Sequence, residues 1–116
     1  MHTRFILSAL LILFFSLASY AQQKPTTQKT IFTFKIDDEI NPGMNRRVKL
    51  ALEEAERIEA DLIIIEMDTY GGAVTDADDI RTMILESNIP VYVFINKDAA
   101  SAGALISIAT DSIYMA

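Results

Sequence analysis

The sequence predicts an α/β fold built around a parallel sheet, and three observations support this prediction. Short runs rich in β-branched and aromatic residues recur along the chain, as strands require. Segments with a helical spacing of apolar residues separate these runs. The run Leu62–Asp68 contains consecutive isoleucines without polar alternation, which is typical of a strand that helices cover on both faces. The alternating order therefore predicts right-handed βαβ units with parallel strands.

The first residues of the chain are typical of a secretory signal peptide. Met1–Arg4 is short and positive, Phe5–Leu17 is almost entirely apolar, and Ser19–Ala21 offers small residues to a signal peptidase. We therefore expect residues 1–21 to be a signal peptide, residues 22–29 to be a polar linker, and the chain to be exported. The alternative is an uncleaved membrane anchor, although the apolar run is short of the roughly 20 residues that span a bilayer.

Composition excludes several classes of function. The chain has 10 basic and 16 acidic residues and a formal charge of −6, so it offers no basic patch to nucleic acid. Its only histidine, His2, lies in the predicted signal peptide, and it has no cysteine. The rest of the chain therefore has no histidine for a metal site or for a serine–histidine pair, and we expect no cofactor. It is long enough for one domain at most.

The first half of the remaining chain predicts a strand, a helix and a second strand. Thr30–Ile36 is β-branched and aromatic and predicts the first strand. Asn41–Gly43 predicts a loop, because proline keeps the preceding residue out of the helical region. A helix is expected over residues 44–60, and Leu62–Asp68, ended by Gly71–Gly72, is the second strand. The apolar face of the helix, at spacings of four and three residues, consists of Met44, Val48, Ala51, Ala55 and Ile58.

The second half repeats this alternation. Thr75–Asp78 is similar to a capping box that opens a helix, and Pro90 follows the end of that helix. Val91–Ile95 predicts the third strand, and Leu105–Ala109 suits a buried helix. A fourth strand begins at Asp111, and because the chain stops inside it, we expect a fragment of a longer protein whose sheet is incomplete at the C-terminus. The apolar stripe of the middle helix comprises Ala73, Ala77, Ile80 and Ile84.

Two breaks in the chain fall at the carboxyl ends of predicted strands, where open parallel sheets form their sites. One is Gly71–Gly72 after the second strand, and the other is Ala99–Ser101 after the third. If these strands are neighbours, the two loops face each other. We then expect Ser101 to be a nucleophile at a strand-to-helix turn, with backbone N–H groups and a helix dipole beside it. The alternatives are a helix-capping serine and an ordinary glycine turn.

These residues together resemble a known protein family. Asp68–Gly72, Ala99–Ala104 and Ala109–Met115 are similar to motifs in the ClpP-type serine protease domain of the NfeD membrane-bound proteases. The same superfamily includes Clp proteases, signal peptide peptidase A and the crotonase fold. The resemblance covers residues 30–116 and implies the N-terminal part of a ClpP-like serine protease domain. Tyr70 departs from the proline that is usual in the family.

The resemblance also implies roles for single residues. Ser101 matches the nucleophile, and the N–H groups of Gly72 and Ala102 match the oxyanion hole. Gly71 and Gly103 belong to the loops that support them. The general base is a lysine in NfeD-type proteases and a histidine in Clp proteases, in each case downstream of the serine. We therefore expect the base of this protein to lie beyond residue 116.

The implied function is a membrane-associated serine endopeptidase with a Ser-Lys dyad. The family implies peptide or stomatin-like membrane-protein substrates, assembly into a homo-oligomer, and a protease domain on the extracytoplasmic side.

Lys97 is a further candidate for the base, but its polar Asn–Lys–Asp setting favours the charged form, so we interpret it as a solvated loop residue. Two other classes stay open: a scaffold that binds membrane partners without cleaving them, and a crotonase-like acyl-thioester enzyme, against which the signal peptide counts.

Overall fold

The computed structural model describes residues 3–10, 12 and 26–116. Residues 3–10 and 12 are helical, and we call this segment α1. The predicted cleavage position after Ala21 and the predicted linker residues 22–25 lie outside the described residues. Among the helices of the described ranges, none combines the length and the apolar character that crossing a membrane requires.

Strands and helices alternate through the rest of the described chain, which confirms the α/β prediction. The four strands form one parallel sheet in the order β1-β2-β3-β4, and a helix lies in each connection. Consecutive strands are therefore neighbours, and their carboxyl ends lie along one edge of the sheet. The elements are β1 (Ile31–Ile36), α2 (Pro42–Arg57), β2 (Leu62–Thr69), α3 (Val74–Leu85), β3 (Val91–Ala99), α4 (Ala102–Ser107) and β4 (Ser112–Met115).

One hydrophobic core joins α2, α3 and α4 to a single face of the sheet. In β2, Ile63, Ile65 and Met67 are fully buried in this core, whereas Leu62 and Ile64 on the opposite face are half-buried. The prediction that helices cover both faces of this strand is therefore wrong for the described chain. Isoleucine is common in strands whose surface is only partly buried. The isoleucine run therefore indicated a strand but not which of its two faces the helices cover.

Helix α2 begins two residues earlier than predicted. Asn41 is its N-cap, since the side-chain oxygen accepts the Met44 N–H at 2.9 Å. Pro42 lies in the first turn, where a helix needs no N–H donor, so the predicted loop over these residues is wrong. On the apolar face, Leu52 rather than Ala51 is buried against the core. The helix ends at Arg57, before its predicted end.

The predicted capping box of α3 is also wrong. The helix begins at Val74, and its N-cap residue Ala73 is exposed and makes no side-chain cap. Asp76 instead accepts a hydrogen bond from Asn45 Nδ2 at 3.0 Å, which connects α3 to α2. The rest of the predicted apolar stripe is confirmed in the buried residues Ala77, Ile80 and Ile84.

Strand β3 extends beyond its predicted end at Ile95 as far as Ala99. Residues 96–98 therefore belong to the strand rather than to a turn. Its register with β2 shifts between Met67 and Thr69, and Thr69 pairs with Ala99 at the carboxyl edge. The predicted fourth strand is confirmed, and it pairs with β3 from Ser112 onward.

Candidate active site

The loops that follow β2 and β3 are in direct contact at the carboxyl edge of the sheet. The two strands are neighbours, and the Ala100 N–H donates to the Thr69 carbonyl oxygen at 3.0 Å. This hydrogen bond joins the start of the serine loop to the last residue of β2. The predicted juxtaposition of the two loops is therefore confirmed.

Ser101 has a strained backbone at the turn from β3 into α4. Its φ is 52° and its ψ is −114°, a combination that non-glycine residues rarely adopt. The residue is exposed, and its side chain makes no cap to the helix, although it occupies the N-cap position. The helix-capping alternative therefore lacks its hydrogen bond here. A strained strand-to-helix turn that exposes a hydroxyl is how α/β-hydrolases present their serine nucleophile.

Gly71 lies directly against the serine loop. A Cβ atom built on it would come within 2.9 Å of Ser101 Cβ, 3.0 Å of the Ala100 oxygen and 3.2 Å of the Ala102 nitrogen. Its φ of 109° adds a second reason for glycine, because side chains disfavour that conformation. Gly71 thus allows the backbone of its loop to approach both the serine and the first N–H of α4.

Gly72 and Ile40 form an isolated β-bridge, in which Ile40 bonds to the residues on either side of Gly72. The Ile40 N–H donates to the Gly71 carbonyl at 2.9 Å, and the Ala73 N–H donates to the Ile40 carbonyl at 2.7 Å. A trans peptide points its N–H opposite to its C=O, so the Gly72 N–H points away from Ile40. It has no acceptor among the described residues. This N–H is therefore free to bind a ligand oxygen.

The second N–H of the predicted oxyanion hole belongs to Ala102, the first residue of α4. The first N–H groups of a helix have no partner within it, and the described chain supplies no acceptor for this one. Ala102 itself is buried in the core. Gly103 packs against Thr69, whose Cγ2 would lie 2.7 Å from a Cβ at that position. A side chain on Gly103 would therefore push the serine loop away from β2.

Lys97 lies in β3, and its environment does not suit a base. Its Nζ is 4.0 Å from an Asp68 carboxylate oxygen, and its side chain is 73% exposed. A lysine base needs a desolvated pocket, and an exposed side chain beside a carboxylate has none. The solvated setting predicted for Lys97 is thus confirmed, although the residue is in a strand and not a loop. The described residues also contain no group of three or more potential metal ligands.

A cleft of about 560 Å³ adjoins the glycine loop on the side of β1. Tyr70 stands on its rim with 82% of its surface exposed. Four carboxylate residues, a threonine and the two glycines line the rest of the cleft. These residues are Asp37, Asp38, Glu39, Asp68, Thr69, Gly71 and Gly72.

Sequence reasoning missed two residues that build this site. Ile40 clamps the glycine loop through its backbone, and Thr69 contacts both loops through its side chain. An apolar residue and a threonine at a strand end carry no pattern that distinguishes them from ordinary packing residues. Their roles depend on the bridge between Ile40 and Gly72 and on the hydrogen bonds of the Thr69 hydroxyl.

The fold of the described chain is the one found in ClpP-like and crotonase-like proteins. A structure of the 1510-N membrane protease specific for a stomatin homolog from Pyrococcus horikoshii is similar over 77% of this chain and 46% of that chain, with a TM-score of 0.70 and 29% identity. ClpP1 from Listeria monocytogenes, as an N165D variant, is similar over 68% of this chain and 46% of that one, with a TM-score of 0.63 and 33% identity. An enoyl-CoA hydratase from Mycobacterium marinum, at 15% identity and a TM-score of 0.61 over 76% of this chain and 48% of that chain, shares the fold.

The sequence profile described as "NfeD1b, N-terminal domain" matches residues 30–116, and the chain belongs to this family. Membrane protein NfeD1b of Bacillus subtilis (strain 168) is 37% identical over 89 residues, which are 77% of this chain and 20% of that protein. The chain thus spans about a fifth of the length of this relative. The predicted family resemblance is confirmed, and the homology to the archaeal protease connects the chain to a family with protease members.

Proposed function

We propose that this chain carries the nucleophile and the oxyanion hole of a serine endopeptidase of the membrane-associated NfeD type. One observation carries the proposal: Ser101 keeps a φ of 52° directly against the Gly71 loop. Such a conformation costs on the order of 1–3 kcal/mol and persists mainly where function needs a side chain aimed. A serine that only capped α4 would have an extended backbone and a hydrogen bond to the helix.

In the proposed reaction, Ser101 Oγ attacks the carbonyl carbon of a peptide while a base removes the hydroxyl proton. The carbonyl oxygen becomes negatively charged, and the N–H groups of Gly72 and Ala102 donate hydrogen bonds to it. The C–N bond then breaks, and the base returns the proton to the leaving amine. Water hydrolyses the resulting ester and releases Ser101.

The base in this proposal is a lysine beyond residue 116. Two solved variants of the archaeal relative support a dyad of this kind. One replaces a serine by alanine, and the other replaces a lysine by alanine and is in complex with a substrate peptide. A lysine acts as a base only when neutral, so we expect it in a desolvated position that lowers its pKa.

The substrate that we propose is a peptide segment of a membrane protein, with stomatin-like proteins as the first candidates. The name of the archaeal relative supports this choice, since that protease is specific for a stomatin homolog. We further propose that the protein is exported and membrane-associated, with its protease domain outside the cytoplasm, and that it forms a homo-oligomer. The composition of residues 1–21 supports the export.

A serine-directed fluorophosphonate tests the proposal on the full-length protein. We expect one adduct per active site, and mass spectrometry of the digested protein should locate it on Ser101. Pretreatment with a non-fluorescent fluorophosphonate should block the label. If a protein that circular dichroism shows to be folded carries no adduct on Ser101, the catalytic proposal is wrong and a non-catalytic scaffold is the better description.

Lys97→Met is expected to leave the labelling rate of Ser101 within about twofold of the wild-type rate. The lysine is solvated and paired with Asp68, and exposed ion pairs contribute about 0–1 kcal/mol. The measurement is the second-order rate of fluorophosphonate labelling at several pH values. A loss of a hundredfold or more would identify Lys97 as the base and would remove the need for a lysine beyond residue 116.

A further inference from the structure

Thr69 makes a pair of hydrogen bonds that joins the loop after β1 to the glycine loop. It is the last residue of β2 and is 3% exposed. Its Oγ1 donates to the Asp38 carbonyl oxygen at 2.7 Å and accepts the Gly71 N–H at 3.1 Å. A hydroxyl has one proton, so the bond to Asp38 leaves only lone pairs to face Gly71. The direction of both bonds is therefore determined.

The other atoms of Thr69 contact the serine loop. Its carbonyl oxygen accepts the Ala100 N–H at 3.0 Å. Its methyl carbon Cγ2 lies where a side chain on Gly103 would have to be. One residue thus touches the loop after β1, the glycine loop and the serine loop through three different groups.

Two of the three N–H groups in the glycine loop have acceptors. The Gly71 N–H is occupied by Thr69 Oγ1, and the Ala73 N–H is occupied by the Ile40 carbonyl. The Gly72 N–H between them has no acceptor among the described residues. If the hydroxyl were absent, the Gly71 N–H would lose its acceptor and the peptide between Tyr70 and Gly71 could rotate. The bond from the Ile40 N–H to the Gly71 carbonyl would then be the remaining restraint on the Gly72 peptide, which would be held less rigidly.

We propose that Thr69 is a positioning residue of the oxyanion hole: its hydroxyl engages the Gly71 N–H and so, together with the Ile40 backbone, holds the Gly72 N–H in the orientation that binds the oxyanion. This inference rests on the proposed function, because it assigns a role within that site. An oxyanion exists only during the reaction, so its loss of stabilisation lowers the limiting rate rather than the affinity for substrate.

Two substitutions separate the hydroxyl from the methyl group. Thr69→Val replaces the hydroxyl by a methyl of similar size and keeps the contact with Gly103. Thr69→Ser keeps the hydroxyl and removes Cγ2. In the full-length protein, fluorophosphonate labelling of Ser101 gives a limiting rate kinact and a half-saturating concentration KI, and the phosphoryl oxygen of the probe takes the place of the oxyanion.

We expect Thr69→Val to lower kinact by about 10- to 100-fold with KI within about threefold, since removing one oxyanion donor costs ~10²–10³ in rate. We expect Thr69→Ser to keep kinact within about threefold of wild type. A role in packing alone predicts the reverse order, because only serine loses the methyl contact. Should Thr69→Val not fold, Thr69→Cys is compared with Thr69→Ser instead: both lack Cγ2, and the thiol is a weak hydrogen-bonding group, so only the cysteine variant is expected to lose kinact.

The proposal is overturned if Thr69→Val labels at the wild-type rate, or if Thr69→Ser loses as much rate as Thr69→Val. Ser101→Ala is measured in parallel and distinguishes a failure of the role of Thr69 from a failure of the proposed function. If Ser101→Ala abolishes labelling while Thr69→Val does not change it, only the role of Thr69 is wrong. If Ser101→Ala labels normally, the proposed function is wrong and the role of Thr69 is rejected with it.

Discussion

Ser101→Ala is expected to reduce peptide cleavage by the full-length protein at least about a thousandfold, because removal of a nucleophile leaves only the binding and oxyanion contributions. The variant should fold normally, since the hydroxyl is exposed and makes no cap to α4. The alanine keeps the positive φ with somewhat greater strain. The measurement is the initial rate of cleavage of a fluorogenic peptide library, with folding checked by circular dichroism.

Ser112→Ala is the matched control for this loss. Ser112 begins β4, is half-buried, and lies in the same sheet away from the glycine loop. The same chemical change there should leave the cleavage rate within about twofold of wild type, as most substitutions away from special sites do. Undiminished cleavage by Ser101→Ala would remove Ser101 from the reaction and with it the peptidase proposal.

Gly72→Ala is expected to open the contact between the glycine loop and the segment that precedes α2. The new Cβ would overlap the Ile40 carbonyl oxygen and come within 2.7 Å of the Ile40 nitrogen. Both are backbone atoms and cannot rotate away, so the clash must displace one segment. We expect a destabilisation of about 3 kcal/mol or more, in the range of severe steric substitutions, together with loss of fluorophosphonate labelling.

Hydrogen exchange gives a local readout of this displacement. The Ile40 and Ala73 amides, which bond across the bridge, should lose more protection in Gly72→Ala than amides in the centre of β2, which report only the global loss of stability. Gly43→Ala is the matched control, because Gly43 is helical and a Cβ there would meet only the Asn41 side chain, at 3.2 Å. That control should change stability by about 1 kcal/mol or less. Unchanged protection of the two amides in Gly72→Ala would show that the loop accommodates a side chain.

The order of the elements could be predicted because each depends on local pattern. The spacing of Met44, Val48 and Ala55 describes a helix face wherever it packs, and the β-branched runs describe strands. Element ends were less predictable. Asn41 caps α2 and Pro42 lies in its first turn, whereas the same dipeptide also marks turns and loops. At α3, the helix already begins at Val74, so Thr75 lies inside it, and Asp78 pairs with Arg81 instead of closing a capping box.

Some residues of the candidate site could likewise be predicted from the sequence, and others could not. Ser101, Gly71 and Gly72 could be selected from the sequence, since small residues after two strands of a parallel sheet predict a site at its carboxyl edge. Thr69 could not be selected, because its role depends on a carbonyl of the loop after β1, 31 residues earlier. The positive φ of Ser101 was likewise unpredictable, since serine by itself prefers φ below zero.

The sequence by itself determined the α/β class, the parallel order of the strands and the pair of loops at their carboxyl ends, because hydrophobic periodicity and turn residues are local properties. The tertiary structure decided the rest. It determined that the described helices cover one face of the sheet and that Ile40 and Thr69 hold the glycine loop. It also left the Gly72 N–H without an acceptor among the described residues. These features depend on strand register and on hydrogen bonds between distant segments, which form only when the chain is packed.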